Sequence, residues 1–386
     1  MNMRLLAGLL FAVSVVGFSL GASLPLVSLR LHQAGAGTLE IGMVSAIPAA
    51  GMMLSAFMVD ACCRHFTRRT LYLLCFSLCA SSIGLLEWAF DRLWLLALLR
   101  LALGIGMGIA IILGESWVNA LCAEHNRGKI MALYATSFTG FQVLGPALLA
   151  LLGPNSPWIT AVVTAGYGLA LLCIVFSVPN DCVEHDEEDA RSFTLAGFFR
   201  VAPALCVAVL FFSFFDAVVL SLLPVYATSH GFAVGVAALM VTVVFAGDML
   251  FQLPLGWLAD RVERTGLHLL CGVVAMAIGI ALPWLLNLTW LLWPLLVLLG
   301  AVAGGIYTLA LVLIGQRFKG RDLVTANASV GLLWGAGSLV GPLLSGAAMD
   351  VAPHGLPMAL ALMAGLFVCF ARQAYRQVQR VSVQAG

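Results

Sequence analysis

The sequence predicts an all-α membrane protein whose twelve transmembrane helices form two related halves of six. Three observations predict this fold. The composition is 62% hydrophobic and only 10% charged, whereas soluble domains are about 45–50% apolar and about 25% charged. Long apolar runs recur throughout the 386 residues, and motifs of the first half reappear in the second. An ordinary water-soluble protein is therefore excluded.

The apolar runs have the length of spanning helices, which need about 20 residues to cross about 30 Å of hydrocarbon. They are too long for the strands of a membrane barrel. The first run is also too long for a signal peptide and lacks a small-residue cleavage site, so we expect it to remain as a span. The predicted spans lie at roughly 5–27, 42–61, 70–90, 94–118, 129–152, 157–178, 201–227, 233–258, 267–286, 290–316, 323–349 and 355–373.

The lysine and arginine residues indicate the orientation of these spans. With the N-terminus in the cytoplasm, all nineteen lie in cytoplasmic segments except Arg30 and Arg92, which lie outside, and Arg100, which lies within the fourth span. Basic residues concentrate on the cytoplasmic side of membrane proteins. We therefore predict a multi-pass protein of the cell inner membrane, surrounded by lipids and monomeric, with both termini in the cytoplasm.

The longest polar stretch, which contains an acidic cluster at 184–189, divides the spans six and six. It is either a solvated linker or a segment for regulation and partner binding. We predict an N-terminal six-helix bundle at 1–178, a cytoplasmic acidic linker at 179–200, a C-terminal six-helix bundle at 201–376 and a cytoplasmic tail at 377–386.

Three short motifs occur once in each half at nearly equal offsets. The offsets are 199 between Ser23–Pro25 and Leu222–Pro224, 200 between Asp60 and Asp260, and 196 between Gly145–Pro146 and Gly341–Pro342. Repeats of this kind are typical of transporters built from two parallel halves. The pattern predicts a substrate site between the halves, near the membrane midplane.

The most specific motif follows the eighth span. Residues Gly256–Arg264 read Gly-Trp-Leu-Ala-Asp-Arg-Val-Glu-Arg and resemble the signature of the major facilitator superfamily. Glycine permits close helix approach, and the aspartate can pair with arginine at a cytoplasmic gate. The copy after the second span is degraded, and a generic charged loop is the alternative. The resemblance implies a gate that involves Asp60, Arg64, Asp248, Gln252, Gly256, Asp260, Arg261 and Arg264.

Two further segments extend the resemblance. Arg100–Gly108 resembles the RxxxGxG element of proton-coupled members, and Glu115–Asn119 with Asn126–Lys129 is similar to the YcaD-like branch. The resemblance implies a transporter whose cavity is lined mainly by the first, fourth, seventh and tenth spans. It also implies that Arg100 alters the proton affinity of a carboxyl or holds an anionic substrate group. It names no substrate.

Glycine and proline in the fifth and eleventh spans bear on the direction of transport. Gly140–Pro146 and Gly337–Gly346 resemble the Gly-Pro element of antiporters, although Leu149 and Ala150 stand where that pattern has glycines. Proline kinks a helix and glycine lets a neighbour pack closely. Efflux by antiport is therefore favoured, and a proton-coupled importer or a facilitator of a small polar solute or metal is the alternative.

Carboxyl groups inside spans are the candidates for carrying protons. Asp216 lies near the middle of the seventh span and Glu115 in the cytoplasmic third of the fourth. Because a charge is costly in hydrocarbon, such groups exchange protons, contact substrate or hydrogen-bond to another helix. We predict proton coupling through Asp216, Glu115 and Arg100, although Arg100 could instead snorkel to the outer surface. Glu115 is about 22 Å from Arg100 along the helix, so they cannot pair directly.

Uncharged polar and aromatic residues in the spans are the candidates for substrate binding, although such residues more often pack or hydrogen-bond between helices. We predict that the substrate contacts Tyr307, Gln142, Trp117, Asn119 and Trp334. The fourteen methionines and the Cys62–His65 cluster raise the possibility of soft-metal transport. No pair of methionines or histidines repeats at ligand spacing within one mid-span helix, so no metal site is predicted.

Other function classes find little support. The sequence holds no phosphate-binding loop, nucleophile elbow or metal-ligand set, so we predict neither an enzyme nor a cofactor. A net charge of +1 gives no support to nucleic-acid binding. A non-transporting membrane receptor remains an alternative. The expected partners are a small-molecule substrate, with a weak preference for an amphipathic or lipophilic one, and protons.

Overall fold

The structure, a computed structural model, describes residues 3–121, 127–178, 195–318 and 321–385, and this part of the chain is helical without any strand. A 3₁₀ turn at Leu86–Trp88 follows the third helix. The α-helices are α1 (Met3–Gln33), α2 (Thr38–His65), α3 (Arg68–Gly84), α4 (Leu93–Leu121), α5 (Arg127–Leu152), α6 (Trp158–Ser177), α7 (Leu195–Val201), α8 (Pro203–Ser221), α9 (Leu223–Ser229), α10 (Val234–Ala259), α11 (Arg264–Leu285), α12 (Thr289–Arg317), α13 (Arg321–Val351) and α14 (Gly355–Ala385).

Eleven helices of the described chain are long and apolar enough to cross a membrane. The predicted all-α membrane fold is therefore confirmed. The predicted span at 70–90 corresponds to α3, which has 17 residues and ends at Gly84, before the 3₁₀ turn. A length of about 17 residues is at the short end of the range for spanning helices.

The predicted span at 201–227 is not one helix. Ala202, with φ −137° and ψ 58°, separates α7 from α8, because the residue before a proline is disfavoured in helical geometry. At the other end, Leu222 separates α8 from α9. Pro224 has no N–H to donate to the carbonyl four residues earlier, which interrupts the helical ladder at this point.

The chain forms two compact units. Unit 1 comprises Met1–Ala36, Met43–Glu187 and Phe232–Thr242, and unit 2 comprises Gly37–Gly42, Glu188–Gly231 and Val243–Gly386. In unit 1, α1 packs on α5 and α6, while α3 packs on α4 and α6. In unit 2, α8 packs on α12, α13 and α14, while α11 packs on α12 and α14. Helices α1 and α8 are accordingly the most buried helices of their units.

Glycines lie at close helix contacts in each unit. In unit 1, a Cβ on Gly17 or Gly21 of α1 would collide with carbonyl oxygens of α5, and one on Gly145 of α5 would collide with the α1 backbone. In unit 2, a Cβ on Gly341 of α13 would lie 3.0 Å from the Phe214 carbonyl oxygen of α8. Gly145 and Gly341 are a predicted repeated pair, so both units use glycine at the same place in an equivalent helix pair.

Small residues of α4 also allow a close helix contact. A Cβ on Gly104 would collide with the Pro48 backbone of α2, and one on Gly108 would lie 2.9 Å from the Met52 Cα. Larger residues at these two positions would therefore push α4 away from α2. Most of the predicted acidic linker lies outside the described residues, and residues 377–385 continue α14.

Candidate functional site

Asp216 is a buried carboxyl near the middle of α8. Its exposed fraction is 5%, and nearly every residue of α8 is buried with it. Its neighbours along the chain include Phe212 and Phe215, which are also buried. From Pro203 to Asp260 the sequence contains no lysine or arginine. Asp216 therefore lies in a largely apolar environment on a helix that carries no basic residue.

Three aromatic side chains from three helices of unit 2 meet on the Asp216 face of α8. Phe212, one helical turn before Asp216, stacks on Tyr307 of α12 with ring centroids 4.9 Å apart and an interplanar angle of 13°. Trp334 of α13 contacts both rings edge to face, at 5.5 Å from Phe212 and 5.1 Å from Tyr307. We call Phe212, Tyr307 and Trp334 the aromatic cluster. Phe212 is buried, whereas Tyr307 and Trp334 are half-buried.

The structure thus brings together two residues that the sequence predicts separately. Tyr307 and Trp334 lie on different helices and meet at Phe212, which is one helical turn before Asp216 on α8. Phe212 is missing from the sequence prediction because it lies in the run Phe211–Phe215, where every aromatic residue has the same apolar character. Its only distinguishing signal is the spacing of four residues from Asp216, which places both on one helix face.

The candidates in unit 1 are more dispersed. Trp117 is 4% exposed and packs on Tyr72 at a ring distance of 5.2 Å, with the Arg68 guanidinium carbon 5.2 Å from its ring centre. Glu115, two residues earlier, is exposed. Residues two apart on a helix point to nearly opposite sides, so Glu115 and Trp117 do not share a face.

Gln142 and Asn119 are the two residues of unit 1 with amide side chains that are predicted to contact the substrate. Gln142 is 2% exposed on α5. Its backbone lies at the close contact with Gly21 of α1, so this residue is part of the helix interface. The side chain of Asn119 lies outside the part of the chain that the structure describes.

Arg100 is buried inside unit 1, with an exposed fraction of 1%. Its Nη1 donates a hydrogen bond to Ser23 Oγ of α1 at 3.2 Å, while Nε and Nη2 have no hydrogen-bond partner among the described residues. This burial rules out the alternative that the side chain snorkels to the outer surface. A guanidinium that is held by one hydroxyl and otherwise unsatisfied is costly to maintain, which is typical of functional rather than structural groups.

Arg100→Met is therefore expected to stabilise the protein, since it removes a poorly compensated buried charge and keeps a side chain of similar length. The gain should be about 1–4 kcal/mol, the range found when buried ion pairs are replaced by apolar residues of similar volume. The measurement is the thermal unfolding midpoint of the purified protein in detergent, with the exposed Arg92→Met as the control. A lower midpoint for Arg100→Met would show that the guanidinium holds the fold together.

Several predicted gate residues form a local network at the end of α10. Arg264 donates through Nη2 to Asp260 at 2.8 Å and through Nε to the Ala259 carbonyl at 3.0 Å. The guanidinium carbon of Arg261 lies 3.7 Å from the Trp257 ring centre. The aspartate therefore pairs with an arginine four residues later in the same segment. Whether this pair acts in gating remains a prediction.

The other predicted gate residues differ in burial and in their contacts. Asp248 is 5% exposed, and its Oδ1 accepts a hydrogen bond from Gln252 at 3.3 Å. It lies about 18 Å along the helix from Asp260 and is not part of the same network. The close helix approach predicted at Gly256 is not found, because the space beside its Cα is open. Arg64 is exposed, and the side chain of Asp60 lies outside the described part of the chain.

The described residues contain no group of three or more histidine, cysteine, aspartate and glutamate side chains placed to hold a metal ion. The eight cysteines in this part of the chain are free thiols. The chemistry that the arrangement offers is therefore that of a buried carboxyl beside aromatic rings in unit 2, and of a buried guanidinium in unit 1.

Comparison with protein families gives one match over most of the chain. A family model described as Major Facilitator Superfamily matches residues 9–238 and again residues 205–381. The chain is 25% identical over 352 residues to "Uncharacterized MFS-type transporter YfkF" of Bacillus subtilis (strain 168), covering 88% of this chain and 87% of that protein. It is 26% identical over 363 residues to "Uncharacterized MFS-type transporter YcaD" of Salmonella enteritidis PT4 (strain P125109), covering 88% and 86%.

Solved structures of transporters are similar along nearly their whole length. The nucleoside transporter NupG superimposes with a TM-score of 0.72 at 15% identity, covering 97% of this chain and 98% of that one. The D-xylose-proton symporter gives a TM-score of 0.67 at 18% identity, covering 95% of each chain. At such low identity these likenesses concern the fold alone.

Proposed function

This chain belongs to the major facilitator superfamily, and from that premise we propose that it moves a small solute by alternating access, coupled to protons and in the direction of efflux. The chain is a multi-pass membrane transporter of this superfamily, whose members are not enzymes. The proposed location is the cell inner membrane with both termini in the cytoplasm. The distribution of lysine and arginine supports that location.

The observation that carries the proposal is the buried carboxyl of Asp216, which lies one helical turn after Phe212 of the aromatic cluster. A charged side chain at the bilayer centre costs about 2.5–3.5 kcal/mol on insertion scales. Taking up a proton removes that cost, so Asp216 can be neutral in one step of the cycle and charged in the next. The affinity for a solute that binds near Asp216 then depends on whether the carboxyl is charged. This dependence couples the movement of the solute to that of the proton.

Two groups of unit 1 support the same proposal. Glu115 is exposed on α4, and its carboxyl is the proposed second carrier of protons. Arg100 places a positive charge inside the unit, with two nitrogen atoms that lack partners among the described residues. Its proposed role is to make a nearby group less ready to accept a proton, or to hold an anionic part of the solute.

Efflux is the proposed direction because of Gly145–Pro146 and Gly341–Pro342. Both glycines lie at helix contacts, where a Cβ on Gly145 would collide with the α1 backbone and one on Gly341 would lie 3.0 Å from the Phe214 carbonyl oxygen. Glycine beside proline at such contacts suits the antiporter element. The second candidate is a proton-coupled importer or a facilitator, which Leu149 and Ala150 favour because they depart from that element.

The test is solute-triggered proton flux in liposomes that contain the purified protein and an internal pH-sensitive dye. Under an imposed pH gradient, pooled solutes are expected to elicit flux with the wild type, and Asp216→Asn should abolish it. Asp91→Asn, which changes an exposed aspartate, should leave the flux intact. Unchanged unfolding midpoints would show that both variants fold.

Two results would overturn this proposal. Equal flux in the wild type and Asp216→Asn would remove Asp216 as the coupling residue. Solute uptake without any proton flux would instead support the facilitator.

A further inference from the structure

Two histidines and a tyrosine meet at one end of unit 2. His230 follows α9, and His354 lies in the turn between α13 and α14. Their imidazole rings are nearly parallel, with centroids 5.2 Å apart and an interplanar angle of 22°. The ring of Tyr226 lies 4.3 Å from that of His230 and 6.2 Å from that of His354. Tyr226 and His354 are 128 residues apart in the chain, so tertiary packing alone brings these rings together.

A hydrogen bond leaves one ring nitrogen of His230 ready to bind an ion. His230 Nδ1 lies 2.8 Å from the Tyr226 carbonyl oxygen. Because a carbonyl oxygen only accepts hydrogen bonds, Nδ1 carries the proton, and the lone pair of the neutral ring is on Nε2. Histidines that bind metal ions are commonly held in this way, with the second ring nitrogen donating to a carbonyl or carboxylate.

The side chain of Tyr226 holds the other imidazole. Its hydroxyl lies 2.9 Å from His354 Nδ1, and a phenol can either donate or accept a hydrogen bond. When the hydroxyl accepts, Nδ1 carries the proton and Nε2 of His354 is also available to an ion. Tyr226 is 0% exposed, so a fixed residue positions His354 through its side chain and His230 through its backbone.

Both imidazoles can be reached by a hydrated ion. His354 is exposed and His230 is half-buried, whereas His268 of α11 is 2% exposed and bonded to the Ile306 carbonyl. No lysine or arginine occurs in 201–260 or 322–371. The segments that carry His230 and His354 therefore add no basic side chain that would repel a cation.

The separation of the two rings suits one shared ion. Zinc holds each imidazole nitrogen at about 2.0–2.1 Å, so two rings on one ion have their ligating nitrogens within about 4 Å of each other. Rings with centroids 5.2 Å apart meet this limit after small rotations of the side chains. Imidazole suits zinc, copper and nickel, whereas magnesium and calcium prefer oxygen ligands.

We infer that His230 and His354 bind one divalent transition-metal ion of the Zn²⁺ type through their Nε2 atoms, with water in the remaining coordination positions. Tyr226 is the positioning residue of this site. The ion ties the end of α9 to the turn between α13 and α14 and thereby stabilises unit 2, because it binds the folded arrangement. The inference goes beyond the proposed function and does not depend on transport or on proton coupling.

The test is a calorimetric titration of Zn²⁺ into the purified full-length protein in detergent, in a buffer without chelator and after removal of any affinity tag. We expect Zn²⁺ to bind and to raise the thermal unfolding midpoint, and a chelator should reverse that rise. Mg²⁺ is the matched ion, since it has the same charge but prefers oxygen ligands, and it should change neither measurement.

His230→Gln and His354→Gln should each weaken zinc binding by about tenfold or more, because each removes one of two protein ligands. Tyr226→Phe keeps the ring and removes the hydroxyl, and the loss of such a supporting hydrogen bond typically costs about 10–100-fold in metal affinity. Unfolding midpoints measured without zinc show whether each variant folds. Since His230 and His354 are not buried, we expect these two midpoints to match that of the wild type.

His65→Gln is the matched control variant. His65 is exposed, and its Nδ1 lies 2.9 Å from the Ala61 carbonyl oxygen four residues earlier, which repeats the local hydrogen bond of His230. The sequence of α2 contains no second histidine, so His65→Gln should bind zinc as the wild type does. Because Cys62 and Cys63 lie nearby in the chain, this variant also shows whether they hold the ion.

Three results would overturn the inference. The first is the absence of zinc binding to the wild type. The second is zinc binding that survives both His230→Gln and His354→Gln. The third is zinc binding that His65→Gln removes, which would move the ion to the cysteines of α2.

Discussion

Gly304→Ala is expected to lower the free energy of unfolding by about 1–3 kcal/mol, the usual cost of overpacking a well-packed contact. Gly304 lies on α12, where an added Cβ would overlap Oδ1 of Asp248 and lie 2.5 Å from its Cγ. Asp248 is buried and bonded to Gln252, so its carboxylate has little freedom to move aside. The unfolding midpoint of the purified variant in detergent measures the loss.

A second substitution tests the cause. Asp248→Ala should restore most of the stability of Gly304→Ala, since it removes Oδ1 and Cγ. It should not rescue Gly300→Ala, because a Cβ there would collide with the backbone carbonyl of Val244. Gly315→Ala on the same helix faces open space and should be neutral or stabilising by up to about 1 kcal/mol. If Asp248→Ala rescues both Gly304→Ala and Gly300→Ala, or neither, the contact between Asp248 and Gly304 is not the cause.

An equivalent contact between two helices exists in unit 1, but there the glycine faces a proline instead of an aspartate. There a Cβ on Gly104 would collide with the Pro48 backbone. Positions 48 and 248 are 200 apart, as are 104 and 304, and this is also the offset between Asp60 and Asp260. Unit 2 therefore places a carboxyl where unit 1 has a proline, in a helix contact that glycine keeps open in both.

The helical membrane fold can be predicted from the sequence because the bilayer imposes a length and a composition on every span. The ends of the spans are less predictable. Pro203 and Pro224 carry a signal for the breaks on either side of α8, but apolar residues surround both, so the hydropathy pattern continues across them. The early end of α3 at Gly84 depends on contacts of the following 3₁₀ turn, which no local pattern indicates.

The sequence predicts the individual residues of the candidate site but not how they contact one another in space. Asp216 is conspicuous because a carboxyl interrupts an apolar run. Tyr307 and Trp334 are polar or aromatic residues that the sequence also singles out, yet their ring contacts with Phe212 join helices whose residues are about a hundred positions apart in the sequence. Burial of Arg100 is similarly set by tertiary packing, because its distance from the helix end is compatible with snorkelling.

Removal of either partner of the Arg30–Glu87 ion pair is expected to cost about 2–4 kcal/mol, since the other charge is then left partly buried without its partner. Arg30 donates to both oxygens of Glu87, at 2.5 and 3.1 Å, and through Nε to the Pro154 carbonyl at 2.5 Å. Thr160 Oγ donates to the same carboxylate at 2.7 Å. This network ties the end of α1 to the 3₁₀ turn, the turn after α5 and the start of α6, although the two charges are 57 residues apart.

The measurement is a double-mutant cycle on thermal stability in detergent, with Arg30→Gln, Glu87→Gln and the double variant. Because the side chains of Arg30 and Glu87 are only 11% and 29% exposed, solvent screens their attraction incompletely and the pair should couple strongly. We expect the double variant to lose markedly less than the sum of the two single losses, and Asp91→Asn, at an exposed neighbour, to lose little. Additive losses would mean that each side chain acts through its own contacts, Arg30 with Pro154 and Glu87 with Thr160, rather than through the ion pair.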